Sequence, residues 1–234
     1  YRLYNEVADL KNMYKIMKSY YAQDGASFYA IGIPMLESVK LLKSGGMERE
    51  AEELLRYYEI HGEMLIKNGL CYPPHEVKYE QSIVAPAVNY LFQLYELTGK
   101  ILYLEEGKKQ LAVLVLFNGH QPDFHMYENA VRHWDGYWFG KYKNLGDTFP
   151  HYWSSLSGVA FREYEKITGE RSYGVKAENS LRGVLSMINS DGSASCAYVY
   201  PFMVNNVRCQ YADPWANDQD WALYYYLKEG KNYD

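Results

Sequence analysis

Four of the six histidines, His120, His125, His133 and His151, fall between residues 120 and 151, and Trp134, Trp138 and Trp153 lie in or beside the same stretch. It reads His120-Gln121-Pro122-Asp123-Phe124-His125, then Arg132-His133-Trp134-Asp135-Gly136-Tyr137-Trp138, then Gly146-Asp147-Thr148-Phe149-Pro150-His151-Tyr152-Trp153. A second cluster runs from Tyr211 through Asp213, Trp215, Asp218 and Asp220 to Trp221. Aromatic rings alternating with acids, Arg and His suit carbohydrate, because rings stack on sugar faces while charged groups hydrogen-bond hydroxyls and carboxylates.

Glycoside cleavage needs a carboxylic acid to protonate the leaving oxygen and, as a rule, a second carboxylate. Asp135 is the first choice. Trp134 and Trp138 would raise its pKa, whereas Arg132 and His133 would lower it. Its structural alternative is a helix cap. Asp147, between Gly146 and Thr148, is a second catalytic candidate, or else a turn residue. Asp213, Asp218 and Asp220 read first as helix caps, with Asp213 kept as a substrate ligand. Arg132 could pair with a substrate carboxylate or with a structural acid. His133, His151 and Tyr152 could carry protons or form a hydrogen-bonded wall. His125, Trp134, Trp138, His151 and Trp215 complete the expected sugar-binding set. His120, Asp123, His125 and His133 show no recognised metal-ligand spacing, so no metal or other cofactor is expected. Gly-rich phosphate loops and a Gly-x-Ser-x-Gly elbow are absent from the sequence.

Helices must position these loops. Val7, Leu10, Tyr14, Met17 and Tyr21 recur at steps of three and four. Similar stretches are predicted at about 27–44, 47–68, 81–98, 100–117, 151–168, 171–189 and 216–228, with strand signals almost absent. Short turns at Gly45-Gly46, Gly99 and Gly169 join them in pairs. Tyr95-Glu96-Leu97-Thr98-Gly99 and Tyr164-Glu165-Lys166-Ile167-Thr168-Gly169 are near copies, which points to repeated αα-hairpins. Pro34 and Pro86 must each start or kink a helix. Because helices alternate direction, the longer connections, at about 22–26, 69–80, 118–150 and 190–215, should gather at one rim. Tyrosines at helical spacing, such as Tyr57, Tyr58, Tyr90 and Tyr95, read as core, as do Trp153 and Trp221.

The chain has 234 residues, 48% of them hydrophobic and 23% charged, which is enough apolar surface for a sizeable core. The longest apolar run, Leu111 to Phe117, is far short of the roughly 18 residues of a membrane span. A net charge of -5 without a basic cluster argues against nucleic-acid and anionic-membrane partners. Cys71, Cys196 and Cys209 have no disulfide or zinc spacing and read as reduced thiols. With no signal peptide visible, a cytoplasmic location is expected. Tyr, at 26, outnumbers Leu, at 23, a further hint of clefts that stack flat polar ligands.

On its Tyr-Glu-(x)-Leu/Ile-Thr-Gly turns and its Trp-, His- and Asp-rich loops, the sequence resembles the six-hairpin glycosidase superfamily. These (α/α)-toroid enzymes include unsaturated glucuronyl hydrolases and several polysaccharide lyases. The resemblance implies an all-α toroid of αα-hairpins, read here as one domain over 1–234. A full toroid has twelve helices and this chain offers about eight. An incomplete ring, missing sequence or a homo-oligomeric partner would account for the difference. The leading expectation is a hydrolase acting on a uronic-acid-containing oligosaccharide, centred on Asp135. A polysaccharide lyase using Tyr152 or a His with Arg132 comes second, and a silent glycan-binding or scaffold domain third.

Overall fold

The computed structural model describes residues 4, 6–23, 27, 30–71, 81–118, 132–134, 137–138, 142–143, 146–195, 197–204, 206–211 and 220–230, and along the strands it describes the backbone. The helices are α1 (Val7–Ala22), α2 (Met35–Ser44), α3 (Glu48–Asn68), α4 (Gln81–Thr98), α5 (Ile101–Phe117), α6 (Ser154–Thr168), α7 (Arg171–Gly183) and α8 (Asp220–Glu229). The expected framework of αα-hairpins is therefore present. None of the described helices is long and apolar enough to cross a membrane.

Three helix starts differ from expectation. α2 begins at Met35 rather than near 27, because Pro34 occupies its N-cap and the residue before a proline is biased away from helix. α6 begins at Ser154 because His151 belongs to a strand. α8 begins at Asp220. α7 ends at Gly183 and tightens into a 3-10 turn, Val184–Met187. Pro86 falls inside α4, so the Ser82 carbonyl loses its i+4 donor.

The repeated turn is a structural repeat. The Gly99 N–H donates to the Tyr95 carbonyl at 2.8 Å and the Gly169 N–H to the Glu165 carbonyl at 2.7 Å. In each copy the threonine hydroxyl donates to the carbonyl four residues back, Leu94 for Thr98 and Tyr164 for Thr168. It then accepts the N–H two residues on, at Lys100 and Glu170. Gly99 and Gly169 have φ of 67° and 76°, the left-handed conformation that closes a helix and that side chains disfavour.

The larger correction concerns strands. β1 (Arg132–Trp134), β4 (Gly146–His151), β5 (Ala197–Val204) and β6 (Val207–Tyr211) form one antiparallel sheet in the order β1-β4-β5-β6. β2 (Tyr137–Trp138) and β3 (Tyr142–Lys143) form a separate pair. The run Ala197-Tyr-Val-Tyr-Pro-Phe-Met-Val204 is rich in the aromatic and β-branched residues that favour strands. It turns at Asn206, whose φ is 65°, to set Val204 opposite Val207. β1 to β3 are too short for an alternating pattern to show in sequence.

The contacts divide the chain into two units, Tyr1–Lys78 with Ala87–Gln110, and Tyr79–Pro86 with Leu111–Asp234. The first has a core of Leu10, Met35, Leu42, Leu54, Tyr58 and Leu65. Within it the buried His61 takes the Tyr21 hydroxyl at 3.1 Å on Nδ1 and gives its Nε2 proton to the Ser27 carbonyl at 2.7 Å. Burial lowers the His61 pKa, with the Ser27 carbonyl opposing, and burial pushes Tyr58 up to about 12. Tyr58 and Tyr90 are core, whereas Tyr57 and Tyr95 are half-buried.

In the second unit α6 lies against α7, with Phe161, Leu181 and Val184 enclosed. Gly158 permits the close approach, since a Cβ there would stand 2.7 Å from Leu181 Cγ and 3.2 Å from the Ala177 carbonyl. Arg162, 3% exposed, clips three helices together. Its guanidinium donates to Glu165 of α6 at 2.6 Å, Glu178 of α7 at 3.3 Å and the Glu229 carbonyl of α8 at 3.2 Å. Removing one side of such a buried set leaves charge uncompensated. Arg162→Met should therefore lower stability by about 3–5 kcal/mol in urea unfolding. Lys166→Met, removing a half-exposed partner of Glu229, should cost less than about 1 kcal/mol. Equal losses would contradict this assignment.

Candidate functional site

The ladder between β4 and β5 joins the two long connections expected to share a rim. β4 ends the segment before α6, and β5 follows the α6–α7 hairpin. In register, Arg132 stands opposite Thr148, His133 opposite Asp147 and Trp134 opposite Gly146. Asp147 in turn pairs with Tyr200, and Thr148 with Val199. The ladder is irregular between Thr148 and His151, and again between Tyr198 and Met203. Each interval contains a proline, Pro150 or Pro201, which has no N–H to give.

Of the expected site residues, the sheet thus brings together Arg132, His133, Trp134 and Asp147, with His151 at the end of β4. Trp138 lies in the separate β2–β3 pair, opposite Tyr142. Asp135, His125, Asp213 and Trp215 lie outside the described residues, as do His120, Asp123 and Asp218. Asp220 is exposed and is the first residue of α8, where an acid complements the helix dipole, and the cap position before it lies outside the described residues.

Where β4 passes into α6, the side chains form a closed corner. His151 and Tyr152 are both fully enclosed. Their rings stack at 4.6 Å, and the Tyr152 ring meets Trp153 and Trp221 edge-on at 5.5 and 6.3 Å. The Trp153 N–H donates to His151 Nδ1 at 3.0 Å. The Tyr152 carbonyl accepts the Ser155 hydroxyl at 2.7 Å. Gln81, the first residue of α4, donates to the Trp153 carbonyl at 2.7 Å and to Ser157 Oγ at 2.9 Å. The first turns of α4, α6 and α8 therefore meet at this corner, as the alternation of helix directions requires.

The clustering of His and Trp does not point to Gln81 or Ser157. Gln81 had one usable signal: it is the first residue after the 69–80 connection, on the expected rim. Among the described residues, no group of three or more His, Cys, Asp and Glu could hold a metal ion.

The sequence matches no family model and no curated protein. A solved structure of a polysaccharide lyase matches all of the chain, with 48% identity and a TM-score of 0.87. The chain is similar throughout to that lyase. It spans 35% of the lyase's length. The likeness agrees with the (α/α)-toroid class that the sequence resemblance implies.

The hydrogen bond from Trp153 fixes the chemistry of His151. Because Nδ1 accepts, the neutral imidazole must carry its proton on Nε2. Nitrogen NMR should find His151 in the Nε2–H form at neutral pH. A dominant Nδ1–H form would contradict this geometry.

Proposed function

We propose that the chain is part of a carbohydrate-active enzyme, and that its reaction is β-elimination in a uronic-acid-containing polysaccharide. The observation that carries this reading is the 48% identity to a polysaccharide lyase, maintained over the full chain. It favours the lyase over the hydrolase that the sequence placed first.

Such a step needs three things. A base takes the proton from the carbon beside the carboxylate, a cation offsets the charge that builds on that carboxylate, and an acid protonates the departing oxygen. The C–H electron pair becomes the new C=C bond as the C–O bond to the next sugar breaks. In this reading Arg132 neutralises the carboxylate, and Tyr152 or His133 takes the proton. Tyr152 and His151 are enclosed, so contact between Tyr152 and a substrate requires neighbouring side chains to move. Trp134, Trp138, His125, Asp213 and Trp215 would line the sugar path. The remainder of the cleft is proposed to come from sequence beyond this chain, in keeping with the greater length of the solved lyase.

Uronate polymers and the protein, followed by ultraviolet absorbance, test the reading. A rising signal from the new unsaturated uronate is expected. Tyr152→Phe should then reduce the rate by about 100-fold or more, and Asp135→Asn should leave it within about threefold. A falling signal with unsaturated oligosaccharides, abolished by Asp135→Asn, would restore the hydrolase reading.

A further inference from the structure

Gln81 is a buried side chain with no part in the proton transfers above. It is fully enclosed and gives both amide hydrogens to the β4–α6 corner, across more than seventy residues of sequence. Its orientation is fixed, since the Trp153 carbonyl can only accept and so must face Nε2. Oε1 therefore lies on the other side of the amide, where it has no hydrogen-bond partner among the described residues.

We propose that Gln81 is a positioning residue that holds the His151–Tyr152–Trp153 corner in one orientation. Trp153 is gripped at both of its backbone groups, its N–H by His151 Nδ1 and its carbonyl by Gln81. Tyr152 is held in parallel through its carbonyl by Ser155. Without Gln81, the Trp153 carbonyl is left with the Leu156 N–H of the first turn of α6, at 3.0 Å, which fixes it along the helix but not against α4, and Ser157 Oγ loses its hydrogen bond from Gln81. The corner could then rotate, and with it the ring whose Nδ1 accepts from Trp153. An apolar side chain would fill the same volume without leaving a carboxamide oxygen unpaired in the interior. The cost of burying that oxygen is understandable if what it secures is a single arrangement of the neighbouring groups. The inference builds on the proposed elimination only in taking the corner as part of its machinery.

The test compares the wild-type protein with Gln81→Leu and Gln81→Glu by two readouts. The first is the NMR titration and tautomer of His151, which needs no activity. Gln81→Leu should shift the titration and mix the tautomers. The second is cleavage of a uronate polymer. Gln81→Leu should lower kcat by about 100-fold while KM stays within about threefold, because geometry and not binding is lost. Gln81→Glu should recover part of the rate as pH falls and its carboxyl regains a proton to donate. It also carries the test if the leucine variant does not fold.

Wild-type His151 signals together with wild-type kcat in a folded variant would overturn the proposal. If His151 responds in the variants while even the wild type leaves every uronate polymer uncut, positioning stands and the elimination reading falls. If the wild type cuts and the variants cut equally well, the positioning role alone is wrong.

Discussion

The α6–α7 hairpin is the constraint on which the site depends. Gly169 closes α6 in the left-handed conformation, and Gly158 lets α7 return along it at close range. The chain entering α6 and the chain leaving α7 are thereby delivered to the same end of the hairpin. Only then can β4 and β5 pair, since they are separated in sequence by both helices. The helix-to-helix contact is local in sequence, whereas the ladder it supports is not. β1 and β6 attach to its two sides. The proposed chemistry is carried on this derived structure, and the helices supply its footing.

The same hairpin explains why the His151–Tyr152 corner is so tightly bonded. It occupies the point where the inner strand β4 ends and α6 begins, and there the Tyr152 and Trp153 carbonyls take the Ser155 and Leu156 N–H in i+3 turns at 3.3 and 3.0 Å rather than in full helical turns. Side chains add to these: His151 takes the Trp153 N–H, the Ser155 hydroxyl donates to the Tyr152 carbonyl and Gln81 donates to the Trp153 carbonyl. Those bonds orient the groups that a proton-transfer reaction would use. Midway along α6 and α7, Arg162 and its partners tie these two helices to the end of α8.

Much of the helical framework was legible because three-and-four spacing and Gly turns are local signals. α4 and α5 fall within a residue of expectation, and the Thr-Gly turns repeat bond for bond. The sheet was not legible. β1 has three residues, and β5 is interrupted by Pro201, so neither presents a clean alternation. That the 118–150 and 190–215 connections meet, through β4 and β5, follows from helix direction alone. The residues were foreseen unevenly. Arg132, His133, Asp147, His151 and Tyr152 were named for their chemistry, whereas Gln81 acts through backbone carbonyls that no side-chain motif announces. Asp135, on which the hydrolase expectation rested, gains no support from the likeness to a lyase.

The central structural claim is that the two long connections meet through β4 and β5, with Thr148 opposite Val199. Cysteines at both positions should form a disulfide on mild oxidation, because directly paired strand residues place Cα atoms about 4.5–5.5 Å apart, within disulfide range. Peptide mapping should recover the cross-link between residues 148 and 199. Absence of that cross-link in a folded protein, or pairing of either cysteine elsewhere, would contradict the shared sheet and the site built upon it.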